Sequence, residues 1–455
     1  MTDLHPIRTT ISDNKDELVV YAADNFSQFP RRDVTVTSKC DRALASARAD
    51  DLVVLRGELD QDYHRWLRAH RLGSDHVVAY NMPPCGETLS ELIVANPEPV
   101  KRVVSEMGRK PVYVPWFSAQ MEAAAAKVLG ADLFGATEVD TLKHNDKAIF
   151  KTLCQKLKVP VVDGVDFVMQ PGNSDNFKQM QSLVERYRST HDTVIIRGTL
   201  GEAGMSLYKT KGDDLAELYQ TIALSGERVV LIEPFLNVTS TPNDQWVVGR
   251  DGRITHIGMI EQVCEQGMVH IGSLKGNGPS PQVFDAVKQT SLKIVTEMAE
   301  SGYRGVTGFD YIAAEEGIFP VENNARFNGS SYVNLIVHNI EELLGAVPLW
   351  KFIKIKTAPC TFIELRKRID SVLYDGSKLN SVFPFNCEDL SRTGNFAVVL
   401  LAEDMDQLHM LEMSLKELGV KRDWSPERSD PEPIQEYAQC QQCQSECQSE
   451  NSINR

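Results

Sequence analysis

Gly308-Phe309-Asp310-Tyr311-Ile312-Ala313-Ala314, then Glu315-Glu316-Gly317, then Ile318-Phe319-Pro320-Val321-Glu322-Asn323-Asn324-Ala325-Arg326 is the most informative run in this chain. Two apolar runs flanking a Gly-containing turn predict adjacent strands. Alternation along each strand sends Asp310, Glu322 and Asn324 to a common face. Three hard oxygen ligands converging there suit Mg²⁺ bridging the phosphates of a nucleotide. Arg326, two positions on, places a fork of N–H donors within reach of phosphate or carboxylate oxygens. Each acidic residue alone would read as part of a solvated hairpin face. The spacing Asp-x₁₁-Glu-x-Asn-x-Arg, with partners upstream, reads differently.

Three upstream segments are those partners. Asn145-Asp146-Lys147-Ala148-Ile149-Phe150 opens a helix that leads into Val159-Pro160-Val161-Val162. Val194-Ile195-Ile196-Arg197-Gly198-Thr199-Leu200-Gly201-Glu202-Ala203-Gly204 reads as a strand entering a glycine loop, followed by a second strand at 205–209. Strand–loop–strand is not a Walker A loop, which needs a following helix and Gly-x₄-Gly-Lys-Ser/Thr. Leu231-Ile232-Glu233-Pro234-Phe235-Leu236 reads as a further strand. In this order the four segments resemble the ATP-grasp enzymes, over roughly residues 140–345. That resemblance implies an α/β protein, an ATP-grasp fold behind an N-terminal open α/β pre-ATP-grasp domain. Within the superfamily the whole chain is similar to pre-ATP-grasp peptide ligases of the pheganomycin and butirosin pathway type.

Composition is compatible with such an enzyme. The 455 residues suffice for about three domains, and 42% hydrophobic content suffices for their cores. No apolar run is long enough to span a membrane, and the polar start (residues 1–17) is unlike a signal peptide. A net charge of −15 and a pI near 5.2 argue against nucleic acid as a partner. Cys40, Cys85, Cys154, Cys264, Cys360 and Cys387 are scattered singly and read as reduced thiols, so a cytoplasmic location is expected. From Ser425 on, the chain is rich in Pro, Glu and Gln and is expected to be disordered. Cys440, Cys443 and Cys447 fall in that tail without a fourth zinc ligand nearby.

Buried strands are expected at 18–21, 52–55, 77–80 and 111–114, forming a mostly parallel sheet in a domain of residues 1–140. No Gly-x-Gly-x-x-Gly follows any of them. A helix at 121–129 takes Ser118 as its N-cap and Gly130 as its stop. Residues 141–230 form a small nucleotide-covering lobe, with helices at 146–157 and 177–188. Residues 231–350 form the metal and catalytic lobe, with a turn at Arg250-Asp251-Gly252-Arg253, a flexible loop at 272–279 suited to lid or acceptor contacts, and a long helix at 283–301. Residues 351–424 add a smaller α/β piece, and 425–455 form the tail.

The resemblance implies roles for these residues. Lys147 and Arg197 contact the phosphates, Arg197 standing where the family usually has a second lysine. Gly201 and Gly204 close over them. Glu233, Pro234, Phe235 and Leu236 hold adenine, with the Glu233 side chain facing its amino group. Asp310, Glu322 and Asn324 hold Mg²⁺, or Mn²⁺, and Arg326 is the catalytic cation. The usual ribose acid falls at Ser240, with Asp244 a nearby alternative. His270 and His338 lie near the motifs and read as structural.

The expected activity is ATP-dependent carboxylate–amine ligation, peptide bond formation through an acyl phosphate, with release of ADP and phosphate. The substrates are a small-molecule acid and an amine (an amino acid or peptide), and a homodimer is compatible with the family. Two other readings stand beside it: transfer of an activated amino acid to a carrier-protein thiol, and ATP binding without catalysis. The acidic charge disfavours an acidic carrier, and a pure binder has no need of Arg326.

Overall fold

The computed structural model describes residues 5–24, 39–81, 87–199, 206–265 and 269–420. The candidate loop glycines Gly201 and Gly204 and the whole Cys-containing tail lie outside them.

The N-terminal strands are β1 (Glu17–Ala22), β2 (Leu52–Arg56), β3 (His76–Tyr80), β4 (Lys110–Pro115) and β5 (Asp132–Leu133). They form one sheet of order β3-β2-β1-β4-β5 in which every pairing is parallel. β1 and β2 are buried along their whole length, as continuous aliphatic runs covered on both faces must be. Ligands of open parallel sheets lie beyond the carboxyl ends of the strands, and Gly57 and Trp116 follow β2 and β4 there. The helix Gln120–Leu129 ends at Gly130 with positive φ, as the sequence suggests. Ser118 is not its cap. The Ser118 hydroxyl donates to the carbonyl of Ala136 at 2.6 Å, and the Glu122 carboxylate accepts from the first-turn N–H of Ala119 instead.

A second sheet contains β6 (Val165–Val168), β7 (Val194–Gly198), β8 (Leu207–Thr210) and β9 (Val229–Pro234) in the order β6-β9-β7-β8. β7 and β8 form the expected antiparallel hairpin on either side of the glycine loop. The helices Ser174–Arg188 and Leu215–Ser225 cover this sheet with Met180, Val184 and Ile222 in a small separate core.

The remaining strands form one nine-stranded sheet: β10 (Val238–Ser240), β11 (Pro242–Val248), β12 (Ile254–Glu265), β13 (Val269–Lys275), β14 (Gly305–Ala314), β15 (Gly317–Asn324), β16 (Leu349–Lys356), β17 (Ser381–Phe385) and β18 (Asn395–Ala402). The 272–279 segment is not a loop along its whole length; only residues 276–279 lie outside a strand. Residues 272–275 are strand, with β13 paired to both β12 and β16 and Ser273 fully buried. Its glycines suggest a loop by composition, but a Cβ on Gly272 would lie 2.0 Å from the Phe352 carbonyl oxygen. The glycine there permits close strand packing. β16, β18 and β17 continue the same sheet, so residues 349–402 are hydrogen-bonded to the part that carries the Asp310 hairpin. A single hydrophobic core runs from the N-terminal sheet through the helix Gly329–Leu344 to β16–β18, holding the N-terminal sheet against the large one. Among the described residues, no helix is long and apolar enough to cross a membrane.

Candidate active site

β14 and β15 pair antiparallel with Asp310 opposite Glu322 and Gly308 opposite Asn324. Opposed residues share a face, so the three candidate ligands stand side by side. β11 adds a fourth polar group. Asn243 is opposite Asp310 and donates its amide to Oδ1 at 2.5 Å, while the Asn324 amide donates to Oδ2 at 3.0 Å. Burial, and then the neighbouring Glu322 carboxylate, push the Asp310 carboxyl up to about 7. Two carboxylates forced together in a buried corner invite a cation. Among the described residues no three His, Cys, Asp or Glu side chains cluster as a metal cage. Two carboxylates and one amide are instead the sparse donor set that Mg²⁺ uses when phosphates and water complete its shell. The residues present therefore fit that ion.

Behind Asp310, Asn243 Oδ1 accepts from the Gln245 amide at 2.9 Å, and Gln245 Oε1 accepts from Asn334 at 3.1 Å. This buried chain fixes the Asn243 amide so that its N–H₂ faces Asp310.

The Lys147 helix is clasped to the end of β15. Asn145 Nδ2 donates to the Ala325 carbonyl and the Ala325 N–H donates back to Asn145 Oδ1, at 3.3 and 3.1 Å. Asp146 caps the helix Lys147–Lys156 through the N–H groups of Ala148 and Ile149. The Lys147 N–H donates to the Thr199 carbonyl at 3.0 Å, and its ammonium lies 2.9 Å from Glu322 Oε1. Asn145, Asp146 and Lys147, at the junction of the helices Glu138–Asn145 and Lys147–Lys156, thus tie that junction to the end of β7 and the tip of β15.

Arg197 and Glu233 are partners. The Glu233 carboxylate, 2% exposed as a residue, meets Lys151 Nζ at 2.7 Å on one oxygen. Its other oxygen meets Arg197 Nη2 at 2.7 Å and accepts from Nε at 2.9 Å. Arg197 Nη1 donates to the Val321 carbonyl at 2.8 Å, bridging the small sheet to β15. A guanidinium has more N–H donors than these bonds use. The Glu233 side chain therefore faces two cations. The 233–236 segment is also the connection between the two antiparallel sheets, β9 ending at Pro234 and β10 starting at Val238. Phe235 lies under the Lys209 ammonium at 3.8 Å from the ring centroid, and Leu236 is buried.

Space around this buried triad is tight. A Cβ on Gly164 would lie 2.4 Å from Glu233 Cγ, 2.8 Å from the Ile232 carbonyl oxygen and 2.9 Å from Lys151 Nζ. Gly164→Ala is expected to destabilise the protein by about 1–3 kcal/mol, the cost of overpacking. Urea unfolding measures it, and an unchanged midpoint would contradict this geometry.

Arg326 lies two residues beyond the end of β15. Its N–H donates to the Asn324 carbonyl at 2.8 Å, and its guanidinium lies 5.4 Å from the ring centroid of Trp116, which follows β4. The Phe327 N–H donates to the Trp116 carbonyl at 3.1 Å, drawing the carboxyl end of the parallel sheet up to the arginine.

Asp244 is closed off by its own partners. It is fully buried, with Oδ1 2.7 Å from His256 Nε2 and Oδ2 accepting from the Trp246 indole N–H at 2.8 Å. The Ser240 hydroxyl instead donates to Glu261 of β12 at 2.8 Å. His270 is held neutral, its pKa lowered to about 3 chiefly by burial, and lies 3.2 Å from the Ser273 hydroxyl. His338 sits edge-on to His5. Sequence reasoning missed Lys151 and Asn243. Lys151 was readable, being one helical turn beyond Lys147 on the same face. Asn243 carried no signal, because its role comes from lying opposite Asp310 across a strand pair.

This three-sheet architecture is the ATP-grasp fold behind an N-terminal open α/β domain. Among solved structures, the chain is similar to biotin carboxylase from Campylobacter jejuni in complex with an ATP analogue, with TM-score 0.58 and 13% identity over 89% of this chain and 92% of that one. It is also similar to N5-carboxyaminoimidazole ribonucleotide synthetase from Thermus thermophilus, with TM-score 0.53 and 14% identity over 90% and 100%. The Staphylococcus aureus N5-carboxyaminoimidazole synthetase complexed with ADP gives TM-score 0.55 and 11% identity over 90% and 100%. No protein-family model and no curated protein matches the chain by sequence.

Proposed function

We propose that the protein is an ATP-dependent carboxylate–amine ligase, of the pre-ATP-grasp peptide-ligase type, that works through an acyl phosphate. The observation that carries this reading is the convergence of Asp310, Glu322 and Asn324 beside Lys147, with Arg326 two residues beyond the strand. ATP lies between the two antiparallel sheets. The backbone of Glu233, Pro234, Phe235 and Leu236 meets adenine, Lys147 and Arg197 meet the phosphates, and Gly201 and Gly204 close over them. Asp310, Glu322 and Asn324 hold Mg²⁺, which neutralises phosphate charge when bound. Residues 1–140, 141–230, 231–350 and 351–424 act as substrate domain, nucleotide lobe, catalytic lobe and extension. Pairing into a homodimer would follow the 2-oxoglutarate carboxylase biotin carboxylase domain, solved as a dimer.

A carboxylate is a poor electrophile because its charge repels nucleophiles and oxide is a poor leaving group. Its oxygen attacks the γ-phosphorus, the bond to the β-phosphate oxygen breaks, and ADP departs, leaving an acyl phosphate. The amine then adds to the carbonyl carbon, loses its proton, and phosphate leaves as the amide forms. Arg326 stabilises the oxyanion of the tetrahedral intermediate from a position fixed by Trp116 and β15. The strand clasp at Asn145 keeps Lys147 in register with Glu322 throughout.

The products should therefore be ADP and inorganic phosphate. With γ-labelled ATP and a panel of acid–amine pairs, label is expected in orthophosphate, and hydroxylamine should trap a hydroxamate. Label in pyrophosphate, with AMP as the other product, would overturn the reading.

A further inference from the structure

The turn Glu315-Glu316-Gly317 sets a register in which Ala314, Ala313, Ile312 and Tyr311 lie opposite Gly317, Ile318, Phe319 and Pro320. Continued unbroken, it would set Val321 opposite Asp310 and turn Glu322 toward the face of the fully buried Phe309. Instead the ladder skips Val321, and Glu322 takes the place opposite Asp310. This is a β-bulge, which re-aims side chains and leaves the extra residue without ladder partners. Pro320, just before it, has no N–H for a ladder and is tolerated at an edge strand or a bulge. β15 is such an edge, paired with β14 alone among the described residues. The Val321 carbonyl accepts instead from Arg197 Nη1 at 2.8 Å, across the gap to the small sheet. Arg197 is 8% exposed, and its other two nitrogens meet one oxygen of Glu233, Nε at 2.9 Å and Nη2 at 2.7 Å. Glu322 is thus held twice from outside its own sheet, its carboxylate by Lys147 and the carbonyl before it by Arg197.

We propose that Arg197 is a positioning residue for Glu322: by gripping the Val321 carbonyl it holds the bulge that brings the second carboxylate opposite Asp310. For its consequence, the assembly of the Mg²⁺ ligands, this rests on the ligase reading. It goes beyond a phosphate contact, which needs the charge of Arg197 but not the bond to Val321. The planar guanidinium suits the task, because one edge can meet a carboxylate while the remaining nitrogen points elsewhere at a fixed angle. Glu233 sets that plane. Its second oxygen is tied to Lys151 at 2.7 Å, and the close packing at Gly164 leaves the carboxylate little room to turn. Asn323, whose Oδ1 accepts from the Thr307 hydroxyl at 2.6 Å, steadies the strand after the bulge on the core side. The bulge itself is gripped from the small sheet, so the sheet that carries Arg197 and the hairpin that carries Glu322 hold one arrangement together.

Amide hydrogen exchange of the full chain, read by mass spectrometry without nucleotide or metal, tests the grip on the bulge directly. Arg197→Lys keeps a charge for Glu233 and for phosphate but loses the second arm that reaches Val321. It should speed exchange in peptides covering 317–326 by about tenfold or more, while peptides from β16–β18 keep wild-type rates. A phosphate contact alone would leave the nucleotide-free hairpin unchanged, and a general loss of stability would speed both regions alike. In calorimetry, the factor by which Mg²⁺ tightens ADP binding should fall by about threefold or more in the variant, since Glu322 is less well placed for the ion. Arg197→Gln, whose amide reaches only one of the two partners, should act likewise and serves should Arg197→Lys fail to fold. Wild-type exchange at 317–326 in a folded variant, acceleration shared equally with β16–β18, or a local acceleration with the Mg²⁺ factor unchanged would each overturn the proposal. Absence of any Mg²⁺ effect on ADP binding by the wild-type chain would strike the ligase reading instead, and the exchange rates would still decide what holds the bulge.

Discussion

Glu322→Gln is expected to lower kcat for ATP-dependent ligation by about 10³-fold or more, the several kcal/mol that a charge-neutralising site contributes to phosphoryl transfer. Gln preserves the shape of the side chain and an oxygen for the Lys147 ammonium, now 2.9 Å from Glu322 Oε1. What it removes is one of the two charges that would hold the ion. Loss of that charge also ends the repulsion that, after burial, is the main reason the Asp310 carboxyl stands near 7. Circular dichroism should remain unchanged, and the cost in stability should fall on Lys147, which is 5% exposed and loses the charge of this partner. Coupled detection of ADP release over an acid–amine panel reads the rate. Substantial ligation by the folded variant would sink the metal assignment.

Glu233→Ala is expected to destabilise the protein by about 3–5 kcal/mol, the cost of breaking a buried ion pair and leaving its partner charges uncompensated. Two cations depend on this one carboxylate. Lys151 and Arg197 are 8% and 10% exposed in their side chains, and each lies 2.7 Å from a Glu233 oxygen. Neither can reach water without opening the packing around Gly164 and β15. Glu233→Gln should cost less, since its oxygen still accepts one hydrogen bond. Urea unfolding of both variants with unchanged slope would give the two values. A loss below about 1 kcal/mol for Glu233→Ala, the level of an exposed pair, would show that water reaches this triad. The same alanine variant should also bind ATP more weakly, because Arg197 loses the partner that aims it.

Much of the architecture is legible in local pattern. The apolar runs at 18–21, 52–55, 77–80 and 111–114 become four strands of a parallel sheet; those of β1, β2 and β4 are covered on both faces, while the run at 77–80 forms the partly exposed edge strand β3. Asp310, Glu322 and Asn324 meet on one face only because the pairing set by the turn shifts by one residue at Val321; unbroken alternation from the Ala314–Gly317 pair would put Glu322 opposite Phe309 on the other face. Pattern misleads where composition and packing diverge. Gly272 to Gly278 looks like a loop, yet its first residues are a strand that requires glycine for clearance from Phe352. Ser118 looks like a helix cap, yet a neighbouring carbonyl claims its hydroxyl.

From the linear order alone come the strands and helices, the existence of the β14–β15 hairpin, and the capping of the Lys147 helix by Asp146, since each depends on residues near one another in the chain; the one-residue shift that brings Glu322 opposite Asp310 does not. Contacts between distant segments depend on how the sheets dock. Glu233 turns to Lys151 and Arg197, Asp244 closes on His256 and Trp246, Asn243 orders Asp310, and Trp116 stands against Arg326. No periodicity encodes those meetings. A buried charge takes whichever opposite charge or donor the packed sheets bring within about 3 Å, because the penalty for remaining unpaired exceeds any local preference.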